Sequence, residues 1–203
     1  ALLQHTDTTW LSDMVLPRPS LQLAYGCTVE FLPEVCNHWM VGDKEDGTTN
    51  PNSPPGWWDF MLRVPMNGQF GISSRVFDWT PAQVERAAAN VALYKRLRGV
   101  IQNADVYHLT PPPPHNNPAG WMALEYVSPD RRRAVVMAYR LARGAARETL
   151  RLRALDPETR YRVSSEGSSI GVFTGRQLIS AGLPVALAEE WRALPVELSA
   201  ETN

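Results

Sequence analysis

Thr9-Trp10-Leu11-Ser12-Asp13 is the densest chemical signal in the chain. Residues 8–11 read as a short strand that ends at a carboxylate, and a Pro-rich turn follows. In folds that alternate strands and helices around a barrel, catalytic groups lie at the C-terminal ends of strands. A carboxylic acid placed there beside aromatic surface can serve as a general acid, giving its proton to a leaving group. By spacing alone, an aspartate in this position more commonly caps a turn or helix. Asn37-His38-Trp39-Met40 is the second cluster. Indole faces cover the apolar C–H faces of a sugar ring. Five of the seven tryptophans precede residue 80: Trp10, Trp39, Trp57, Trp58 and Trp79. For any single tryptophan core packing is the commoner role, and Trp10 and Trp39 are the better candidates for a sugar platform. His38 has two readings. It hydrogen-bonds a sugar hydroxyl, or it satisfies a loop carbonyl, which is the commoner case.

Other chemistries lack their residues. No P-loop or dinucleotide fingerprint occurs, and no Cys/His cluster has zinc spacing. Cys27 and Cys36 make a poor disulfide framework for this length and are read as free thiols in a reducing, cytoplasmic setting. Asp7 is read as structural. The acidic residues of the polar segment 43–56 lack the alternation of a calcium loop and are read as solvated. Arg131-Arg132-Arg133 directly follows Ser128-Pro129-Asp130 and reads as a solvated hairpin tip rather than a nucleic-acid site. No apolar run is long enough to span a membrane.

The elements that must position these residues fall into two halves. The chain has 203 residues, 44% hydrophobic and 20% charged, with a net charge of −1 and 17 prolines. That composition excludes a disordered chain. It is also shorter than the roughly 250 residues of a complete (β/α)8 barrel. Residues 28–32 read as a strand, 59–66 as a short helix and 70–73 as a strand. Residues 81–103 read as a long helix, capped by Thr80 with Pro81 at its first position and Gln83 completing a capping box. Val84, Ala87, Ala88, Val91, Tyr94, Leu97 and Ile101 form its apolar stripe. Beyond Asp105, short apolar runs recur between turn signals, near 106–109, 121–127, 134–141, 149–155, 161–164, 170–173 and 191–198. That rhythm predicts an antiparallel sandwich or barrel. Pro111 to Pro114 reads as a stiff connector. His108 and His115 read as surface.

In order, WLSD (10–13), LQLAYG (21–26), TVEFLP (28–33) and Asn37-His38-Trp39-Met40 resemble the C-terminal part of the catalytic region of glycoside hydrolase family 36, the α-galactosidases and their relatives. Gly68-Gln69-Phe70-Gly71-Ile72 resembles the last barrel strand of that family. Tyr94-Lys95-Arg96-Leu97-Arg98 with Ile101-Gln102 resembles its final barrel helix, and Asp105-Val106-Tyr107 the entry to the next domain. LRALDP (152–157), Tyr161-Arg162-Val163 and Ala181-Gly182-Leu183-Pro184 resemble its C-terminal β-domain.

The resemblance implies α/β plus all-β architecture. The C-terminal part of a (β/α)8 barrel would occupy 1–104, and an antiparallel β-sandwich 105–203. It implies a retaining enzyme that cleaves terminal α-galactosides by double displacement, with Asp13 as general acid/base and oligosaccharides as substrates. Trp10, Trp39 and His38 would bind the sugar. No cofactor or metal, nucleic acid or membrane is expected, and self-association is implied for the complete protein. The family nucleophile lies upstream of the acid/base residue. Only twelve residues precede Asp13, and Asp7 does not match that motif, so the chain is read as an incomplete part of a longer enzyme. Met14-Val15-Leu16 depart from the acidic or amide residues that follow WLSD in many relatives, which bears on sugar specificity. The alternative reading is a stand-alone carbohydrate-binding or interaction protein built on the β-domain.

Overall fold

The structure is a computed structural model, and it describes residues 6–112, 114 and 118–201. The chain divides into two compact units, residues 1–102 and 103–203.

The first unit alternates strand and helix. The order is β1 (Thr9–Trp10), α1 (Pro17–Glu30), β2 (Cys36–Met40), α2 (Pro55–Arg63), β3 (Gln69–Ile72) and α3 (Pro81–Ile101). The strands pair in parallel in the order β1-β2-β3, with Trp10 opposite Asn37 and Trp39 opposite Gly71. Each crossover carries a helix, as parallel neighbours require. Residues 28–32 correct the expected strand. Thr28 closes the last turns of α1, its hydroxyl bonded to the carbonyls of Ala24 and Tyr25. The strand falls instead at Cys36, after a 3-10 turn at Pro33–Val35. These three strands do not close into a barrel among the described residues.

Helix α3 begins as expected. Thr80 accepts from the backbone of Gln83, and the Gln83 side chain accepts from Thr80. Its buried face differs from the apolar stripe read in the sequence. Val84 and Ala88 are exposed, while Gln83, Ala87, Asn90, Leu93, Tyr94, Leu97, Val100 and Ile101 are buried. The reason is a polar contact with α2. Asp59 accepts from Arg86 Nε at 2.8 Å and Asn90 Nδ2 at 2.8 Å, and Asn90 Oδ1 accepts from Arg63 Nε at 3.0 Å. Buried polar groups that find partners in this way are tolerated inside. Beside them Met40, Trp58, Met61, Leu62 and Ala87 form an apolar cluster.

Cys27 and Cys36 are joined by a disulfide, with their Cα atoms 6.6 Å apart. This corrects the reading of free thiols. Nine residues apart in sequence, the two meet because the turn between α1 and β2 reverses the chain. The cytoplasmic expectation loses the thiol argument on which it rested.

The second unit is mostly sheet. Six strands lie in the order β4-β5-β6-β11-β8-β9: β4 (Asp105–His108), β5 (Trp121–Val127), β6 (Arg133–Arg140), β11 (Arg192–Ala200), β8 (Arg160–Ser165) and β9 (Ser168–Thr174). All neighbours are antiparallel. A second sheet pairs β7 (Arg147–Leu150) with β10 (Leu183–Ala186), and α4 (Gly175–Ser180) follows β9. Leu150, Leu183 and Val185 of the small sheet share one core with Ala123, Val136, Tyr161, Val163 and Val196 of the large one. The β8–β9 turn places Glu166 and Gly167 at positive φ (50° and 84°), as a two-residue hairpin needs. The Ser128-to-Arg133 tip is a turn, with Arg131 at φ 53° and Ser128 Oγ bonded to Asp130. Residues 149–155 are strand only to Leu150. The chain then runs irregularly along the core, burying Leu152, Ala154 and Leu155. His115 and part of the proline tract lie outside the described residues.

Candidate active site

Alternation along β2 decides what faces where. Cys36, His38 and Met40 are buried, whereas Asn37 is half-buried and Trp39 is 39% exposed. Met40 packs on the helices, so Asn37 and Trp39 mark the opposite face of the parallel sheet. Parallel neighbours in register point the same way, and this puts Trp10, opposite Asn37, on that face too. Trp10 is 43% exposed. Two large indoles left open on one side of a sheet are unlike ordinary core tryptophan.

The two rings meet edge to face, with centroids 4.6 Å apart and planes at 77°. Each indole N–H is used. Trp39 Nε1 donates to Asn37 Oδ1 at 2.7 Å, and Trp10 Nε1 donates to Asp13 Oδ1 at 2.9 Å. Gly71 leaves room for the Trp39 ring. Asp13 itself is exposed, just past the C-terminal end of β1. On the same face Thr8 Oγ1 and Gln69 Oε1 lie 3.1 Å apart in a hydrogen bond that ties β1 to β3.

Asp13, Trp10 and Trp39 are therefore brought together. His38 is not. It lies on the other face of β2, buried, and burial lowers its pKa to about 4, so the imidazole is neutral at neutral pH. Its Nδ1 finds no hydrogen-bond partner among the described residues. The period-two alternation of a strand separates it from Trp39 although the two are adjacent in sequence.

The other tryptophans have different work. Trp58 is core, its Nε1 bonded to the Gln83 carbonyl, and it meets Trp79 edge to face. Trp57 stacks on Phe60 and donates to Asp43. Asp43 also accepts from the Asn50 backbone and the Ser53 hydroxyl. It organises the 43–56 segment from within, which corrects the reading of all its acids as merely solvated. The disulfide removes both cysteines as nucleophiles. Asp7 is exposed at the start of β1. Among the described residues no three His, Cys, Asp or Glu side chains gather as a metal site, and no helix is long and apolar enough to cross a membrane. Asn37 and Gly71, which hold the Trp39 ring, are not among the candidates that the sequence singles out. Their signal was available, since each shares the face of Trp39 by strand parity or register.

Residues 121–198 match the glycosyl hydrolase family 36 C-terminal domain. Over those residues the second unit is similar to the C-terminal domain of that family. Over a longer stretch, α-galactosidase AgaA of Geobacillus stearothermophilus is 29% identical over 192 residues, which is 90% of this chain and 24% of that protein. Alpha-galactosidase 2 of Pediococcus pentosaceus is 23% identical over 189 residues, covering 91% of this chain and 24% of that one. The crystal structure of α-galactosidase AgaB from Geobacillus stearothermophilus superposes with a TM-score of 0.81 at 25% identity, over 98% of this chain and 26% of its own. Structures of AgaA variants in complex with raffinose and with stachyose superpose equally well, at 24% identity. The chain spans about a quarter of the length of these relatives.

Proposed function

We propose that this chain forms the end of the catalytic barrel and the following β-sandwich of a retaining α-galactosidase, with Asp13 as its general acid/base. Residues 1–104 supply three consecutive parallel strands and their helices, and 105–203 the sandwich. The observation that carries this reading is the placement of Asp13. It stands at the C-terminal end of a parallel strand, on the face where Trp10 and Trp39 are open. That is where strand–helix barrels hold their chemistry. Both exposed tryptophans belong to the first unit, which favours an enzyme over a binding protein built on the β-domain.

In a retaining mechanism one carboxylate attacks the anomeric carbon while the other protonates the departing oxygen, and the two stand about 5–5.5 Å apart. Asp13 takes the second role, and then accepts a proton from the water that opens the glycosyl-enzyme. The nucleophile is a carboxylate from outside this chain. Trp10 and Trp39 offer apolar surface to the pyranose. Substrates are terminal α-galactosides of the raffinose and stachyose type, the ligands of the AgaA complexes. No organic cofactor or metal takes part in this scheme.

The test is Asp13→Asn in the longer protein that carries this chain. Hydrolysis of raffinose falls about 10²- to 10⁴-fold, the usual worth of general acid–base catalysis. Near-normal turnover of raffinose by that variant would falsify the assignment.

A further inference from the structure

The sequence made Trp10 a sugar platform. The N–H of the same ring has a second task, which rests on the reading of Asp13 as acid/base: we propose that Trp10 is also a positioning residue that fixes which oxygen of Asp13 carries the catalytic proton. An indole N–H can donate but cannot accept. The oxygen that faces it must therefore present a lone pair. Trp10 Nε1 points at Asp13 Oδ1 from 2.9 Å. In the protonated acid the proton consequently resides on Oδ2, which accepts no hydrogen bond among the described residues.

The indole is itself held. The backbone of Trp10 pairs with Asn37 in the parallel ladder, and Leu11 N–H continues that ladder to the Asn37 carbonyl at 3.4 Å. Its ring meets Trp39 edge to face at 4.6 Å. Trp39 is fixed in turn by Asn37 Oδ1 at 2.7 Å and by its close passage over Gly71. The order therefore runs from Asn37 through Trp39 and Trp10 to Asp13. A single bond from an exposed aspartate to a loose side chain would orient nothing. A bond to a ring clamped between a strand and a second ring fixes the direction of the carboxyl group, and with it the proton. Supporting groups of this kind are what hold a catalytic side chain within productive geometry.

During the first step the Oδ2 proton passes to the glycosidic oxygen as its bond to the anomeric carbon breaks. The bonding pair leaves with that oxygen, and the carboxylate nucleophile forms the new bond to carbon. In the second step water attacks the same carbon, the nucleophile is released, and Oδ2 recovers a proton from the water. Oδ1 remains an acceptor of the Trp10 N–H throughout.

The substitution Trp10→Phe keeps an aromatic ring against Trp39 and removes the N–H. In the longer protein, kcat/KM is measured for raffinose, whose sugar leaving group needs protonation, and for dinitrophenyl α-galactoside, whose leaving group does not. The ratio of the two values cancels the active fraction, so partial misfolding does not disturb it. The expected result is a ratio shifted against raffinose by about 10- to 100-fold, the worth of a hydrogen bond to a charged group. An unchanged ratio, or equal loss on both substrates, overturns the proposal. Asp13→Ala is measured in parallel. Its larger shift in the same direction, with azide restoring turnover of the aryl substrate, supports the acid/base reading independently. If Asp13→Ala behaves so and Trp10→Phe leaves the ratio unmoved, the positioning role alone fails. If Asp13→Ala cleaves raffinose normally, both fail.

Discussion

The ring of Trp39 passes so close to Gly71 that a Cβ on residue 71 would lie 2.4 Å from its Cδ1. Parallel register sets this contact, since the two residues are direct partners across β2 and β3. Glycine at 71 is thus a requirement of the indole rather than of the backbone.

Gly71→Ala is accordingly expected to push Trp39 off its place and to break its bond to Asn37. In the longer protein KM for an α-galactoside rises by roughly tenfold, with a smaller change in kcat, because a displaced platform loosens substrate placement. Steady-state kinetics together with the tryptophan emission wavelength check this. Unaltered kinetics would show that Trp39 lies away from the substrate.

The disulfide should contribute directly to stability. Cys27 and Cys36 close a short loop between the last turns of α1 and the first residue of β2. On loop-closure grounds a bridge of that span is worth about 2–3 kcal/mol. Denaturant unfolding with and without reductant measures the difference, and Cys27→Ser/Cys36→Ser should reproduce the reduced form. Coincident curves would show the bridge to be energetically idle.

Asp59 is the hub between α2 and α3. Its carboxylate takes hydrogen bonds from Arg86 and Asn90 and stands 3.8 Å from Arg63, itself buried. Asp59→Ala removes the shared counter-charge from that interface and should cost about 3–5 kcal/mol. Asp59→Asn, which keeps an acceptor, should cost less. Equal unfolding midpoints for Asp59→Ala and the parent would contradict this.

Glu125 gives the second unit a pH dependence. It stands on β5 within the apolar core, its Oε2 accepting the Arg153 N–H at 2.7 Å and its Oε1 without a partner among the described residues. Burial pushes its pKa up from 4.5 to about 7, against the smaller opposing effects of the Arg153 and Ala154 backbone and the Arg153 charge. The folded state therefore binds this proton more tightly than the unfolded state. Below pH 4.5 both forms are protonated and Glu125 adds no slope. Between 4.5 and about 7 its contribution to stability declines as pH rises, and above that the penalty is constant at roughly 3 kcal/mol. Glu125→Gln, which keeps the acceptor for Arg153, should match the parent near pH 4.5 and exceed it near pH 8. Thermal unfolding across that interval tests the difference. A variant-minus-parent difference that does not change with pH would refute it.

Local signals made much of the fold readable. Thr80-Pro81 with Gln83 starts α3 because the cap is a short-range hydrogen-bond pattern. Uniform apolar runs between turns gave β5, β6, β8, β9 and β11 within a residue or two. Where a segment's state depended on a distant partner, reading failed. Residues 28–32 have strand composition, but 28–30 finish α1 and Phe31 is its C-cap, and β7 stops at Leu150, where its pairing with β10 ends. Strand β10 and helix α4 are too short for periodicity to show.

The same division runs through the candidate site. The sequence by itself determined that Asp13 follows a short strand beside Trp10, and that Trp39 lies in a second aromatic cluster, because residue order states both. Only the tertiary structure decided that His38 is buried while its neighbour Trp39 is open, that Cys27 is bonded to Cys36, and that the Trp10 N–H is directed at Asp13. The physical reason is that facing and direction belong to the pairing register. Once Trp10 stands opposite Asn37 and Trp39 opposite Gly71, two indoles and one carboxylate share one face, and no spacing along a single strand encodes that.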